Sequence, residues 1–133
     1  MHKAIRGKRT LKSDLAYLGG FFDGEGSIFI ARLKRANNRV HYRLNISLSN
    51  TVREPVELLH VLFNPTRKTL QYKDRKNPKW KNVYMWLSTG HIAYRFLKQI
   101  SPYLRIKKRQ AEVGMEFYEW REALGDKGRA HSK

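Results

Sequence analysis

Asp23-Gly24-Glu25-Gly26 sets two carboxylates into a glycine-framed stretch of a strongly basic chain. Acid is scarce here: 28 Lys+Arg stand against 11 Asp+Glu in 133 residues, a net charge of +17. Oxygen-rich clusters are what hard divalent cations select, so a clustered pair suggests a local task such as holding a metal. The plainer reading is a turn whose acids are solvated. The five histidines, His2, His41, His60, His91 and His131, show no metal-ligand spacing, and the chain has no cysteine. Disulfides, zinc-finger chemistry and thiol catalysis are therefore excluded.

The acids close a helical pattern. Leu15, Leu18 and Phe22 recur at i, i+3 and i+7, one helix face. Ala16, Gly19, Gly20 and Asp23 fall largely on another. Each helical glycine costs roughly 1 kcal/mol relative to alanine, so Gly19 and Gly20 imply that another backbone approaches closely. Ser13 is the expected N-cap, with Asp14 in the first turn, where the helix dipole favours an acid. Ser27 to Lys34 is extended, Arg35–Arg39 is a turn built on Asn37 and Asn38, and His41 to Asn50 alternates. Tyr42, Leu44, Ile46 and Leu48 point one way; His41, Arg43, Asn45, Ser47 and Ser49 point the other. Thr51 and Glu54 read as a capping box for a second helix striped by Val56, Leu59 and Phe63. Two further strands, 68–73 and 83–88, precede a helix over 90–100, and a last helix runs from about Lys107 to about Leu124. Trp80, Trp86 and Trp120 read as core or strand-packing residues.

The length is that of one domain, expected over 13–124. A basic arm (1–12) precedes it, and a polar, loose tail (125–133) follows. The first 13 residues lack an apolar stretch, so no secretory signal is expected. Nor is there an apolar run of 18 residues, and a membrane partner is not expected. The basic excess points to a polyanion, most simply nucleic acid.

Leu18-Gly-Gly-Phe-Phe-Asp-Gly-Glu-Gly26 resembles the LAGLIDADG motif of homing endonucleases. Gly19 stands at the family's first Ala, Gly24 at its second, and Glu25 at its second Asp. The order of elements matches that family over about 13–124, and Pro102-Tyr-Leu-Arg-Ile-Lys107-Lys-Arg-Gln-Ala is similar to its segment carrying a basic active-site residue. The resemblance implies an α+β fold of αββαββα order, with a twisted antiparallel sheet as a DNA saddle and helices on the other face. It implies a metal-dependent, site-specific double-strand endonuclease of the intron-homing kind. The motif occurs once, which implies a homodimer on a long, near-palindromic site, cutting across the minor groove.

On that resemblance Ala16, Gly19, Gly20 and Asp23 form the dimer seam. Glu25, with the Gly24 carbonyl, holds Mg2+; Mn2+ is a substitute, and Ca2+ a non-productive one. Lys107 stabilises charge at the phosphate, and Asn50 stands where the family often has a water-positioning Gln. Lys108 and Arg109 are expected on phosphates. The polar face of the second strand is the expected base reader: His41, Arg43, Asn45, Ser47 and Ser49, joined by Gln71, Lys73 and Arg75 on the third. On the first strand, Ile28 and Ile30 want the core, which turns Phe29, Ala31 and Leu33 toward DNA. Partners are thus double-stranded DNA and a second copy. Intron RNA is a further candidate, because proteins of this fold can act as splicing helpers, and a non-catalytic DNA-binding regulator is a third reading.

Overall fold

The computed structural model describes residues 8–64, 70–72 and 82–131. Helix α1 (Lys8–Glu25) leads directly into strands β1 (Gly26–Lys34) and β2 (Val40–Asn50). Helix α2 (Arg53–Phe63), strands β3 (Leu70–Tyr72) and β4 (Val83–Thr89) and helix α3 (Gly90–Ile100) follow. A 3-10 turn, Ser101–Tyr103, then leads to helix α4 (Lys108–His131). The sheet is antiparallel in the order β1-β2-β4-β3. This is the expected αββαββα order closed by one more helix.

Hydrophobic alternation sets which face of β2 is buried. Leu44, Ile46 and Leu48 are at most 1% exposed and meet the helices. Tyr42, expected with them, is 45% exposed, because that end of the strand overshoots the core. Around Trp86 the core is aromatic: Phe96 lies edge-on to Phe22, Phe63 and Trp86, with ring centroids 5.0–5.1 Å apart. Such pairs contribute about 1 kcal/mol each beyond their burial. The Trp86 indole N–H donates to the buried Asn64 Oδ1 at 2.6 Å, so the largest core ring leaves no polar atom unsatisfied.

Several boundaries differ from expectation. Helix α1 starts at Lys8, so Ser13 is inside it rather than at its cap; the preceding Lys and Arg residues are good helix formers. Asp14 is consequently an interior helical residue, and burial pushes its carboxyl above the ordinary value. No capping box forms at α2. Val52 is the N-cap residue, and its N–H donates to Asn50 Oδ1 at 2.8 Å. Helix α4 continues to His131, through much of the stretch expected to be loose. Trp120 is 58% exposed on it rather than in the core. The β1–β2 turn behaves as its asparagines suggest: Asn38 adopts φ 64°, and Asn37 Oδ1 accepts the Arg39 N–H at 3.0 Å. Among the described residues no helix is long and apolar enough to cross a membrane.

Candidate active site and nucleic-acid face

Helix α1 becomes strand β1 without a loop, and Phe22 is the reason. A Cβ at Gly26 would lie 2.2 Å from the Phe22 ring, so only glycine lets the strand leave against that fully buried side chain. Glu25 therefore stands at the junction, exposed. Among the described residues its carboxylate has no hydrogen-bond or ion-pair partner. The last carbonyls of a helix have no intrahelical donor. The Asp23 carbonyl accepts the Lys107 ammonium at 2.7 Å; the Gly24 carbonyl is the next along the chain. An exposed carboxylate beside a backbone carbonyl fits a hard, oxygen-seeking cation. Among the described residues no three acids or histidines gather into a fuller ligand set.

Asp23 and Gly19 have work inside the chain, which corrects their expected place at an intermolecular seam. Asp23 is 7% exposed. Its Oδ1 accepts the backbone N–H groups of Ile106 (2.9 Å) and Lys107 (2.8 Å). Its Oδ2 accepts those of Arg105 and Ile106, both at 3.0 Å. The Ile106 N–H does most to hold this carboxyl below its ordinary value; burial opposes it, and the Lys107 and Arg105 N–H groups and the Lys107 charge add to the lowering. Gly19 is buried one turn earlier, where a Cβ would lie 2.6 Å from Tyr103 Cβ. The close approach that this glycine permits is thus to the chain's own Tyr103. Ala16 and Gly20 are exposed, and among the described residues nothing comes within 4 Å of a Cβ built on Gly20. Beside them Tyr17 stacks on Phe21, centroids 6.2 Å apart. Asn50 ends β2 with its Oδ1 accepting the Val52 N–H, and its amide nitrogen is left to donate to a water.

On the sheet face away from the helices, register aligns Ser27, Phe29, Ala31 and Leu33 of β1 with Ser47, Asn45, Arg43 and His41 of β2. Phe29 is 43% exposed on this face as expected, whereas Ile30, expected in the core, is itself 37% exposed, because β1 is the edge of the sheet and its inner row is only partly covered. Two expected readers are corrected. Asn45 is 7% exposed, enclosed on the central strand between Phe29 and Thr89, and accepts Arg43 Nε at 3.1 Å. Gln71 pairs with Tyr84, in the row of β4 that contains core Trp86, so its register position is on the helix side. Lys73 and Arg75 lie outside the described residues. Ser47 and Ser49 are half-buried and Arg43 exposed. Lys108 and Arg109 are exposed at the start of α4, where Arg109 makes only a loose 3.7 Å pair with Glu112.

Leu87 and Met85 were missed as members of this face. Each is one residue from Trp86, so the strand parity that buries the tryptophan already turns them outward. Arg121 was missed as well, because only the tertiary packing of α4 brings it to the far end of the hairpin. There Arg35, Arg39, Arg43 and Arg121 line a cleft of about 700 Å³ with His41, His91, Tyr118 and Glu122. Arg35 Nε donates to His41 Nδ1 at 2.7 Å. Burial first, then the charges of Arg35, Arg121 and Arg43, hold the His41 imidazole below its ordinary pKa.

The profile of the LAGLIDADG endonuclease family matches residues 18–124. Among solved structures, the chain is similar to the archaeal intron-encoded homing endonuclease I-Vdi141I complexed with DNA. The two are 18% identical with a TM-score of 0.59, over 82% of this chain and 69% of that one. Homing endonuclease I-CvuI, in complex with its target in the presence of calcium, is 17% identical with a TM-score of 0.57, over 81% and 67%. The group I intron-encoded I-CeuI, complexed with DNA, is 13% identical with a TM-score of 0.57, over 91% and 58%. No curated protein matches the chain. At these identities the structural likeness is one of fold.

Proposed function

The chain belongs to the LAGLIDADG endonuclease family, and from that premise we propose that it is a metal-dependent, site-specific DNA endonuclease of the intron-homing kind. It acts as a homodimer on a long, near-palindromic duplex. The observation that carries this reading is the meeting of two segments remote in sequence. Lys107 bonds to the carbonyl of Asp23, 84 residues away, at the end of the helix that presents Glu25. A solvated acid and a solvated lysine need no such meeting; a phosphodiester-cutting site needs both groups at one phosphate.

Glu25 and the Gly24 carbonyl would hold Mg2+ or, in its place, Mn2+, with Ca2+ supporting binding only. One chain offers a single such carboxylate, so in the homodimer the second copy would offer the other. The chemistry such an ion would supply is polarisation of the scissile phosphate and a more acidic attacking water. Lys107 neutralises charge gathering on the phosphate, and Asn50 orients water through its amide nitrogen. The exposed Ala16 and Gly20 allow the α1 helices of two copies to pack closely. The sheet face, with Arg43, His41 and the serines, lies on the bases, while Lys108 and Arg109 touch phosphates. I-CvuI has been seen with its target and calcium, and with another target, magnesium and DNA not cleaved; both support divalent ions as partners of this fold on DNA.

The deciding experiment incubates the protein with the intron-less form of its own locus, in Mg2+, Ca2+ or EDTA. Double-strand cuts in Mg2+ alone, lost in Glu25→Gln, are expected. Tight duplex binding with no cut in any metal defeats the nuclease reading and favours a binding-only regulator. A solution mass of one chain, free and on DNA, defeats the homodimer.

A further inference from the structure

The Asp23 carboxylate makes most of the hydrogen bonds that join the two segments of the candidate site. It lies in the last turn of α1, and its partners lie immediately before α4. Three consecutive N–H groups converge on one carboxylate, and the lysine that ends this run reaches back to the same residue's carbonyl. Both halves of the exchange are electrostatically favourable. The carboxylate faces the positive end of α4, and the ammonium faces the negative end of α1. A lysine side chain has four rotatable bonds, and without such a hold its ammonium would sample many positions. We propose that Asp23 is a positioning residue: by gripping the Arg105–Lys107 backbone it sets the Lys107 ammonium against the helix end that presents Glu25. The proposal rests on the nuclease reading and deepens it, because it makes the site's basic group a preorganised one.

A second brace acts on the same loop. Gly19 precedes Asp23 by one helical turn, and Tyr103 is seated against it. Any side chain at position 19 pushes Tyr103 away and lifts the following residues off the carboxylate. Asparagine cannot replace Asp23 in either amide orientation. Each carboxylate oxygen accepts two N–H groups within 3.0 Å, so an amide NH2 in either place sets donor against donor.

The test is a double-mutant cycle on single-turnover cleavage with Asp23→Asn, Lys107→Met and the pair. Asp23→Asn is expected to slow cleavage about ten- to hundredfold, the usual effect of losing a group that orients a functional one. Duplex affinity in Ca2+ is expected to hold. In the Lys107→Met background Asp23→Asn is expected to cost little more, since its effect passes through the lysine. Additive losses, or an affinity loss that parallels the rate loss, overturn the proposal and leave Asp23 a structural residue. Gly19→Ala replaces Asp23→Asn should the latter fail to fold, with the same expectations.

A cleavage-free readout separates this proposal from the nuclease reading. The amines are acylated and the modified lysines identified by mass spectrometry. Lys107 is expected to react more slowly than exposed Lys108, and to lose that protection in Asp23→Asn or Gly19→Ala. Equal reactivity in the wild-type protein overturns the clamp even if the protein cuts DNA. A protected Lys107 in a protein that cuts nothing supports the clamp while the nuclease reading fails.

Discussion

The two ends of the β1–β2 hairpin are held in different ways. At the α1 junction, four backbone N–H contacts to Asp23 and one lysine-to-carbonyl bond join segments more than 80 residues apart, and Gly26 is fitted against Phe22. At the far end the turn keeps only local backbone bonds, Arg35 N–H to Arg39 O and Asn38 N–H to Arg35 O, and there and across the open face side chains bond to partners a few residues away: Arg35 to His41 and Arg43 to Asn45. Backbone-directed bonds fix a position, and they cannot be exchanged for a ligand without moving an element. Side-chain pairs on an open face are exchangeable, since a guanidinium can leave an amide for a base edge or a phosphate. The contrast suits a protein whose chemistry is done at one fixed place and whose recognition adapts to a sequence.

Four changes probe that contrast. The largest effect is expected from Glu25→Gln at the fixed end: single-turnover cleavage falls about a thousandfold, near 4 kcal/mol of barrier, while Ca2+-supported binding persists because an acid has been removed from a DNA-facing surface. Binding lost in step with cleavage would place Glu25 in recognition instead. Gly26→Ala follows. The new methyl meets a buried ring that cannot swing away, and urea unfolding should show a loss of about 3 kcal/mol; an unchanged midpoint would mean the junction is looser than it is drawn. On the adaptable face, Arg43→Ala should relax discrimination at one base position in each half-site by about 1–3 kcal/mol, with a stability loss of about 1 kcal/mol as buried Asn45 Oδ1 loses its donor. A panel of singly substituted targets measures this, and a uniform loss over all targets would make Arg43 a phosphate contact.

The smallest effect is a pH dependence. Burial and the three surrounding guanidinium groups lower the His41 pKa, so the unfolded chain takes up this proton first as pH falls. The stability His41 confers is whole above its unfolded value, about 6.5, and drains away as pH falls from there through the folded value. Urea midpoints between neutral and mildly acid pH should show this slope, and His41→Gln should flatten it. A slope kept in that variant assigns the proton uptake elsewhere.

Much of the scaffold was legible because it follows from local pattern. Alternation in β2 identified Leu44, Ile46 and Leu48 as core, and the asparagines identified the hairpin turn. What resisted was pairwise and remote. Nothing near Asp23 says that its oxygens meet Arg105–Lys107, and nothing near Gly19 names Tyr103, so both residues were assigned to a seam between chains. Gln71 was misplaced because the face of a short strand is set by its partner's register, here the row of Tyr84 and Trp86. Asn45 was read correctly as lying on the polar face, yet alternation cannot report that Phe29, Thr89 and Arg43 enclose it. The start of α1 was missed because lysine and arginine carry on a helix as readily as they form an arm.

The direct passage from α1 into β1 has a consequence for how this chain can vary. A helix turns about 100° per residue, and a strand exchanges its two faces at every residue. One residue inserted between Phe22 and Ile28 would swing the acidic side chain away from the junction and interchange the inner and outer rows of the entire first strand. Drift in chain length is therefore expected to gather at the Arg35–Arg39 turn and to be absent from the seam between helix and strand. There a change of one residue is a change of architecture.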